Sequence, residues 1–171
     1  MRNLLLIIAA VVALASCNSA QTAQQKKIQN SIDSIAHLKA IQAIEQGYFV
    51  LRATSMNDMY GHVMSGLSEN ANFLLVQGKD GMYQFAAMRA NPGLNGLGGV
   101  TLDGEVRDLK IKYGKTPNDD VEVKYRLVGI DINADVQITL FKGSDQATAL
   151  VMPMLEGGTI TVRGQLSPYR Q

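Results

Sequence analysis

His62 is the one imidazole with acids near it in the sequence, Asp58 four residues before and Glu69 seven residues after. Such a pairing can orient a general base, but acyl chemistry also needs a Ser or Cys nucleophile in a recognisable setting, and none accompanies it. His37 stands without a second ligand at a spacing that would hold a metal. Asp131-Ile132-Asn133-Ala134-Asp135 opens as a calcium loop does, with oxygens at positions one, three and five. Positions six and twelve, which need Gly and Glu, hold Val136 and Lys142, so the segment reads as a polar hairpin turn. The Gly-rich run Asn91-Pro92-Gly93-Leu94-Asn95-Gly96-Leu97-Gly98-Gly99 contains G-x-x-G-x-G, and no helical pattern follows it. A phosphate cradle needs the helix N-terminus that such a loop opens, so this is a turn or a rim loop. Scattered carboxylates fall on outward strand positions opposite Lys or Arg, where cross-strand pairing accounts for them. The expectation is a protein that is not an enzyme and holds no metal and no cofactor.

Softer chemistry is better represented. Met56, Met59, Tyr60 and Met64 form one cluster, and Met152 with Met154 a second. Methionine fills irregular gaps in cores and also lines tolerant binding surfaces. The first cluster lies in the long segment 55–71, where a barrel would place a lid or mouth loop. These six residues are the candidate seat for a small apolar ligand.

The single Cys excludes an intrachain disulfide framework and any multi-cysteine metal site. Its setting gives it a different chemistry. Met1 and Arg2 make a short basic head, and residues Leu4 to Ala15 are all aliphatic or small. Those 12 residues are too few to span a bilayer, which takes about 20 in a helix, and they fit the apolar region of a secretory signal. Leu14-Ala15-Ser16-Cys17 resembles the bacterial lipobox, in which the Cys sulfur takes a diacylglyceryl group and becomes the acylated first residue. On that reading residues 1–16 are a lipoprotein signal peptide and Cys17 is the lipidation site. Multiple acyl chains give stable anchoring, since each buried methylene contributes about 0.8 kcal/mol and one chain alone is marginal. No acidic cluster follows Cys17, and the resemblance to bacterial lipoproteins then implies an outer-membrane anchor on the periplasmic face.

The elements that must position these groups change character along the chain. Residues 17–25 are polar and read as a tether. Ile28, Ile32, Ile35, Leu38, Ile41 and Ile44 then recur at steps of three and four, which predicts a leading helix over 26–46 with Gly47 just past its end. Packing of that stripe on the protein's own sheet is the expectation. Beyond Gly47 the period is two. Val100, Leu102, Gly104 and Val106 alternate with polar residues, then Leu109, Ile111 and Tyr113 do so in the opposite phase. Val121 to Leu127, Ala134 to Leu140 and Ile160 to Leu166 repeat the pattern, and Tyr48 to Thr54, Phe73 to Gln77, Met82 to Ala87 and Ala147 to Met152 are less regular strands. Short turn segments such as Gly78-Lys79-Asp80-Gly81 and Lys142-Gly143-Ser144-Asp145 link neighbours as antiparallel hairpins.

Eight or nine strands with one apolar face each must curl into a barrel or divide into two layers. The fold class is therefore mainly β: an antiparallel up-and-down, lipocalin-like β-barrel with one N-terminal helix, with a two-layer sandwich as the alternative. Residues 26–171 form a single β-rich domain. The composition agrees, with 46% hydrophobic and 18% charged residues, 16 Gly and no Trp among 171 residues. A formal charge of +1 gives no pull toward nucleic acid.

From about Tyr48 to Pro168 the chain resembles a family of Bacteroidetes lipoproteins known as domain of unknown function 4251. The resemblance is carried by Tyr48-Phe49-Val50-Leu51-Arg52-Ala53, by Asn72-Phe73-Leu74-Leu75-Val76-Gln77-Gly78-Lys79-Asp80, and by Asn95-Gly96-Leu97-Gly98-Gly99-Val100-Thr101-Leu102-Asp103-Gly104. Ile138-Thr139-Leu140-Phe141 and Ile160-Thr161-Val162-Arg163-Gly164-Gln165-Leu166-Ser167-Pro168 complete it. It implies an envelope setting and brings no activity with it. Two functions remain in view: a lipid-anchored binding module for a small apolar ligand, or a structural or assembly protein that docks another envelope protein. The partners are accordingly the membrane, through the N-terminal lipid, and that ligand or protein.

Overall fold

Alternation with period two builds the body of the molecule. In the computed structural model, residues 2–65, 67–86, 100–116, 119–130, 133–154 and 158–169 are described, with side chains from residue 23 onward except at Met64 and Ser65. The Gly-rich run 91–99 and the lipobox side chains lie outside the described residues. One helix, α1 (Arg2–Gln46), leads into β1 (Tyr48–Asn57), β2 (Val63–Ser65), β3 (Asn72–Gln77), β4 (Asp80–Phe85) and β5 (Val100–Lys112). These are followed by β6 (Val121–Val128), β7 (Asn133–Leu140), β8 (Gln146–Pro153) and β9 (Ile160–Pro168).

Every pairing is antiparallel. From β3 to β9 each strand pairs with its successor, and β1 closes the circle by pairing with β3 on one edge and β9 on the other. Eight strands therefore form a closed barrel, and the three-residue β2 extends the far end of β1. The barrel is the favoured architecture; the two-layer sandwich is not adopted. Closure leaves the eight strands with no continuous free edge, which is the physical advantage of a barrel over an open sheet.

Two bulges set which side chains face inward. In β1 the register against β9 slips between Ala53 and Ser55, so Phe49, Leu51 and Ala53 face in, and after the slip Met56 does. In β5 the register against β6 slips between Arg107 and Lys110, with Asp108 at φ +57°. The opposite phases of Val106 and Ile111 thus belong to one bulged strand, since one extra residue reverses the pleat.

The interior is filled by side chains. Phe49, Leu51, Leu74, Tyr83, Phe85 and Ile138 are each at most 1% exposed and belong to one contiguous apolar cluster. Tyr83 and Phe85 stack with ring centroids 5.1 Å apart. Burying such a side chain contributes about 1.5–3 kcal/mol each, so the wall and its filling are one stabilising unit.

No Gly or Pro interrupts residues 2–46, and α1 continues through the stretch expected to be a tether. The Ala and Gln residues there are good helix formers. Gly47, at φ +71°, ends the helix, its N–H bonded to the Ile44 carbonyl at 3.0 Å. The last turns lie across one end of the barrel. His37 meets Ser144 in the β7–β8 turn, Glu45 meets Tyr113 after β5, and Ala40, Ala43 and Ile44 enter the core. Only this end of the expected stripe packs on the sheet. Ile28, Ile32, Ile35 and Leu38 are each more than half exposed, because they lie on the side of the helix turned away from His37, Ala40 and Ile44. Among the described residues no helix is long and apolar enough to cross a membrane.

Candidate functional site

The strands run between two different ends. At one, α1 is the lid. At the other, the β1–β2 turn, the start of β3, the β6–β7 turn and the β8–β9 connection form a rim. The six candidate residues sort along this axis. Met56 is fully buried inside the barrel just under the rim, turned inward by the β1 bulge. Met59 and Tyr60 stand exposed on the β1–β2 turn, and Met154 on the β8–β9 connection. Met59 lies close over Gly158, where an added Cβ would come within 2.8 Å of the Met59 Cβ, so these two loops touch. Met64 belongs to β2, and its side chain lies outside the described residues. Met152 is not at the rim. It faces outward on β8, beside Asp135 and Arg126 in a charged cleft of about 300 Å³ on the outer wall.

Two further rim residues went unnoticed in the sequence. Val63 on β2 is 63% exposed, and Ile130 in the β6–β7 turn is fully exposed. An Ile at a turn tip between two well-patterned strands is the signal that could have found the second. Under the rim sits Asn72, 3% exposed and facing inward in phase with Leu74 and Val76. Its Nδ2 donates to the Ser68 carbonyl at 3.0 Å, and its Oδ1 is buried without a partner. A buried amide oxygen left unpaired is costly and uncommon.

The His62–Asp58 pairing exists at this end, with Nδ1 to Oδ2 at 2.7 Å. Asp58 is occupied in building the turn: its Oδ1 accepts from the amides of Tyr60 and His62 at 2.9 Å each. Desolvation pushes its carboxyl upward, but the hydrogen bonds from the His62 ring and these amides outweigh it and hold the group below the usual carboxylate value. Among the described residues the His62–Asp58 pair is part of what holds this turn. Inside the barrel, burial pushes the Tyr125 phenol up, which keeps it neutral. Among the described residues no three His, Cys, Asp or Glu side chains gather where they could hold a metal ion.

The helix end carries its own cleft, of about 350 Å³. Leu38 and Ile41 form one side, and Tyr113 and Val121 the other. Tyr113 Oη donates to Glu45 Oε1 at 3.0 Å across it. On the outer wall, Arg126 pairs with Asp135 at 2.8 Å and Lys112 with Glu122 at 3.7 Å, each across a strand boundary. Exposed pairs of this kind contribute about 0–1 kcal/mol, and they engage two of the outward carboxylates, while Glu105 pairs with Arg107 on its own strand.

The model of a domain of unknown function (DUF4251) matches residues 32–166. The chain is also similar to the crystal structure of a DUF4251 family protein from Bacteroides eggerthii DSM 20697. The two are 32% identical with a TM-score of 0.69, over 81% of this chain and 91% of that one. No curated protein matches the chain.

Proposed function

The chain belongs to the DUF4251 family, and from that footing we propose that it is a non-enzymatic cell-envelope lipoprotein that binds through the apolar rim of its barrel. Residues 1–16 are its signal peptide and Cys17 its acylated first residue. The anchor places it on the periplasmic face of the outer membrane.

The observation that carries the reading is the rim itself. Met59, Tyr60, Val63, Ile130 and Met154 stand exposed on three separate connections at one end of a barrel whose interior is already full. Exposed apolar groups gathered in one region mark an interaction surface. A small apolar ligand needs a concavity that encloses most of its area. Buried side chains pack the interior beneath the described part of the rim, which favours an apolar segment of another envelope protein as its occupant. A photoreactive residue placed at Tyr60 should give one stoichiometric adduct in cells, lost in a Met59→Asp/Met154→Asp variant. Monomer alone from a well-expressed, folded protein would remove this reading. For the anchor, palmitate label should vanish in Cys17→Ala.

The small-ligand reading moves to the cleft beside α1, whose volume and apolar walls suit a compact molecule and whose Glu45 and Tyr113 would orient it. Native mass spectrometry after gentle extraction should then show a retained mass that Val121→Trp displaces. An unliganded mass under conditions that preserve lipid on other lipoproteins would exclude it.

A further inference from the structure

Between Cys17 and Ala40, Ile28, Ile32, Ile35 and Leu38 are the large apolar side chains of α1, and each is 53–54% exposed. They occupy one side of the helix. His37, Ala40 and Ile44, which hold α1 to the barrel, occupy the opposite side, as 3.6 residues per turn requires. The stripe is therefore not a stray edge of the core. It is a second apolar face, turned away from the first.

Its place in the chain points to what it meets. Cys17 precedes Ile28 by eleven residues, close to three whole turns, on a helix continuous from Arg2 to Gln46. The acylated residue thus lies about 16 Å along the helix axis from Ile28, which keeps the stripe within reach of the bilayer that holds the acyl chains. Between residues 18 and 41 the charged residues are Lys26, Lys27 and Lys39 against Asp33 alone, a basic excess that complements anionic lipid headgroups. A coiled-coil partner is disfavoured by the same sequence. The seam that contains Ile28, Ile32 and Ile35 continues with Lys39 and Gln42, whereas a stable coil needs three to four heptads.

We infer that the Ile28–Ile32–Ile35–Leu38 face of α1 lies in the surface of the membrane that holds the acyl chains of Cys17. The inference rests on the acylated-Cys17 reading and deepens it. A lipid attached three turns before the stripe holds α1 at the bilayer, and burial of the exposed stripe then lays the helix flat. Because α1 crosses the end of the barrel opposite the rim, the rim faces away from the membrane, where a partner can reach it.

The chain has no Trp, so one introduced indole reports its own surroundings without background. Ile32→Trp, Asn30→Trp on the opposite side of the helix, and Tyr60→Trp at the rim are each placed in full-length acylated protein. The proteins are reconstituted into phosphatidylethanolamine/phosphatidylglycerol vesicles with brominated acyl chains. The expected result is blue-shifted emission and at least twofold quenching for Ile32→Trp, with water-like and unquenched emission from the other two. Equal quenching at Ile32→Trp and Asn30→Trp, or none in protein that floats with the vesicles, overturns the inference. Blue-shifted Ile32→Trp without lipid, in a chain that sediments as a dimer, overturns it in favour of a second copy. Missing palmitate label brings down the acylation reading and this inference together; label without quenching brings down this inference alone.

Discussion

Asp58 holds the β1–β2 turn through one carboxylate, which accepts from two backbone amides and from the His62 ring. Its folded-state pKa is lowered by those bonds, so its contribution is fully present above the ordinary carboxylate value, roughly 4, and is lost as pH falls through the lower folded value. Between pH 5 and 2 the Tyr60 and His62 amides should shift and exchange faster while the barrel amides stay protected. Asp58→Asn should flatten that response; an unchanged titration would show that the carboxylate does not hold the turn. His37 makes a different kind of point. It is fully buried, and because a carbonyl can only accept, its Nδ1 donates to Ser144 at 2.8 Å, leaving Nε2 buried without a partner. His37→Ala removes a buried ring and orphans the carbonyl, a loss of about 2 kcal/mol that urea denaturation would read. Nothing in the sequence marks His37 for this place, since a polar residue in an Ile-rich helix looks solvated until the helix is seen to end on a turn.

At the scale of elements, α1 has two apolar faces, one packed on the barrel and one exposed, and substitution should separate them. Ile44→Ala opens a cavity at the lid and should cost about 2–5 kcal/mol, whereas Ile32→Ser, out in solvent, should stay within about 0.5 kcal/mol of wild type in the same urea titration. Comparable losses at both positions would mean that the stripe is covered in solution. The sequence made the helix legible through steps of three and four, but not which residues of the stripe the barrel reaches, because that depends on where the lid sits. Strands were legible where pleat and burial agree, as along Val121–Leu127. They were misread where a bulge intervenes. The phase change between Val106 and Leu109 looks like two strands, yet an extra residue near Asp108 carries one strand through it. The same arithmetic at Thr54 turns Met56 inward and out of the rim cluster, and the three-residue β2 is too short to show any period. Of the candidate-site residues, Met59, Tyr60 and Met154 stand on connections at one end of the barrel, Met56 and Met64 belong to strands, and Met152 points to the outer wall.

For the molecule as a whole, the closing seam between β1 and β9 decides whether there is a barrel at all. It joins residues more than a hundred positions apart, so its loop entropy is the largest of any strand pair, and only good contact along the seam can offset it. Gly164 sits at its tightest point. It pairs with Ala53 where β1 bulges, and a Cβ there would collide with the Arg52 carbonyl oxygen and come within 3.0 Å of the Ala53 Cα. Neither neighbour is a flexible side-chain end, so the backbones would have to separate. Gly164→Ala should therefore destabilise by about 1–3 kcal/mol, lowering the urea midpoint by about 1 M at a typical slope. The loss should also be localised. Amide exchange should quicken along β1 and β9 before it changes in β5 and β6, which lie across the barrel and keep their own pairing. If protection falls evenly around the barrel, or the midpoint does not move, the seam is not the weak line of the fold. In that event the glycine at 164 would mark only a preference of the β9 strand itself, and barrel closure would owe its stability to the filled interior alone.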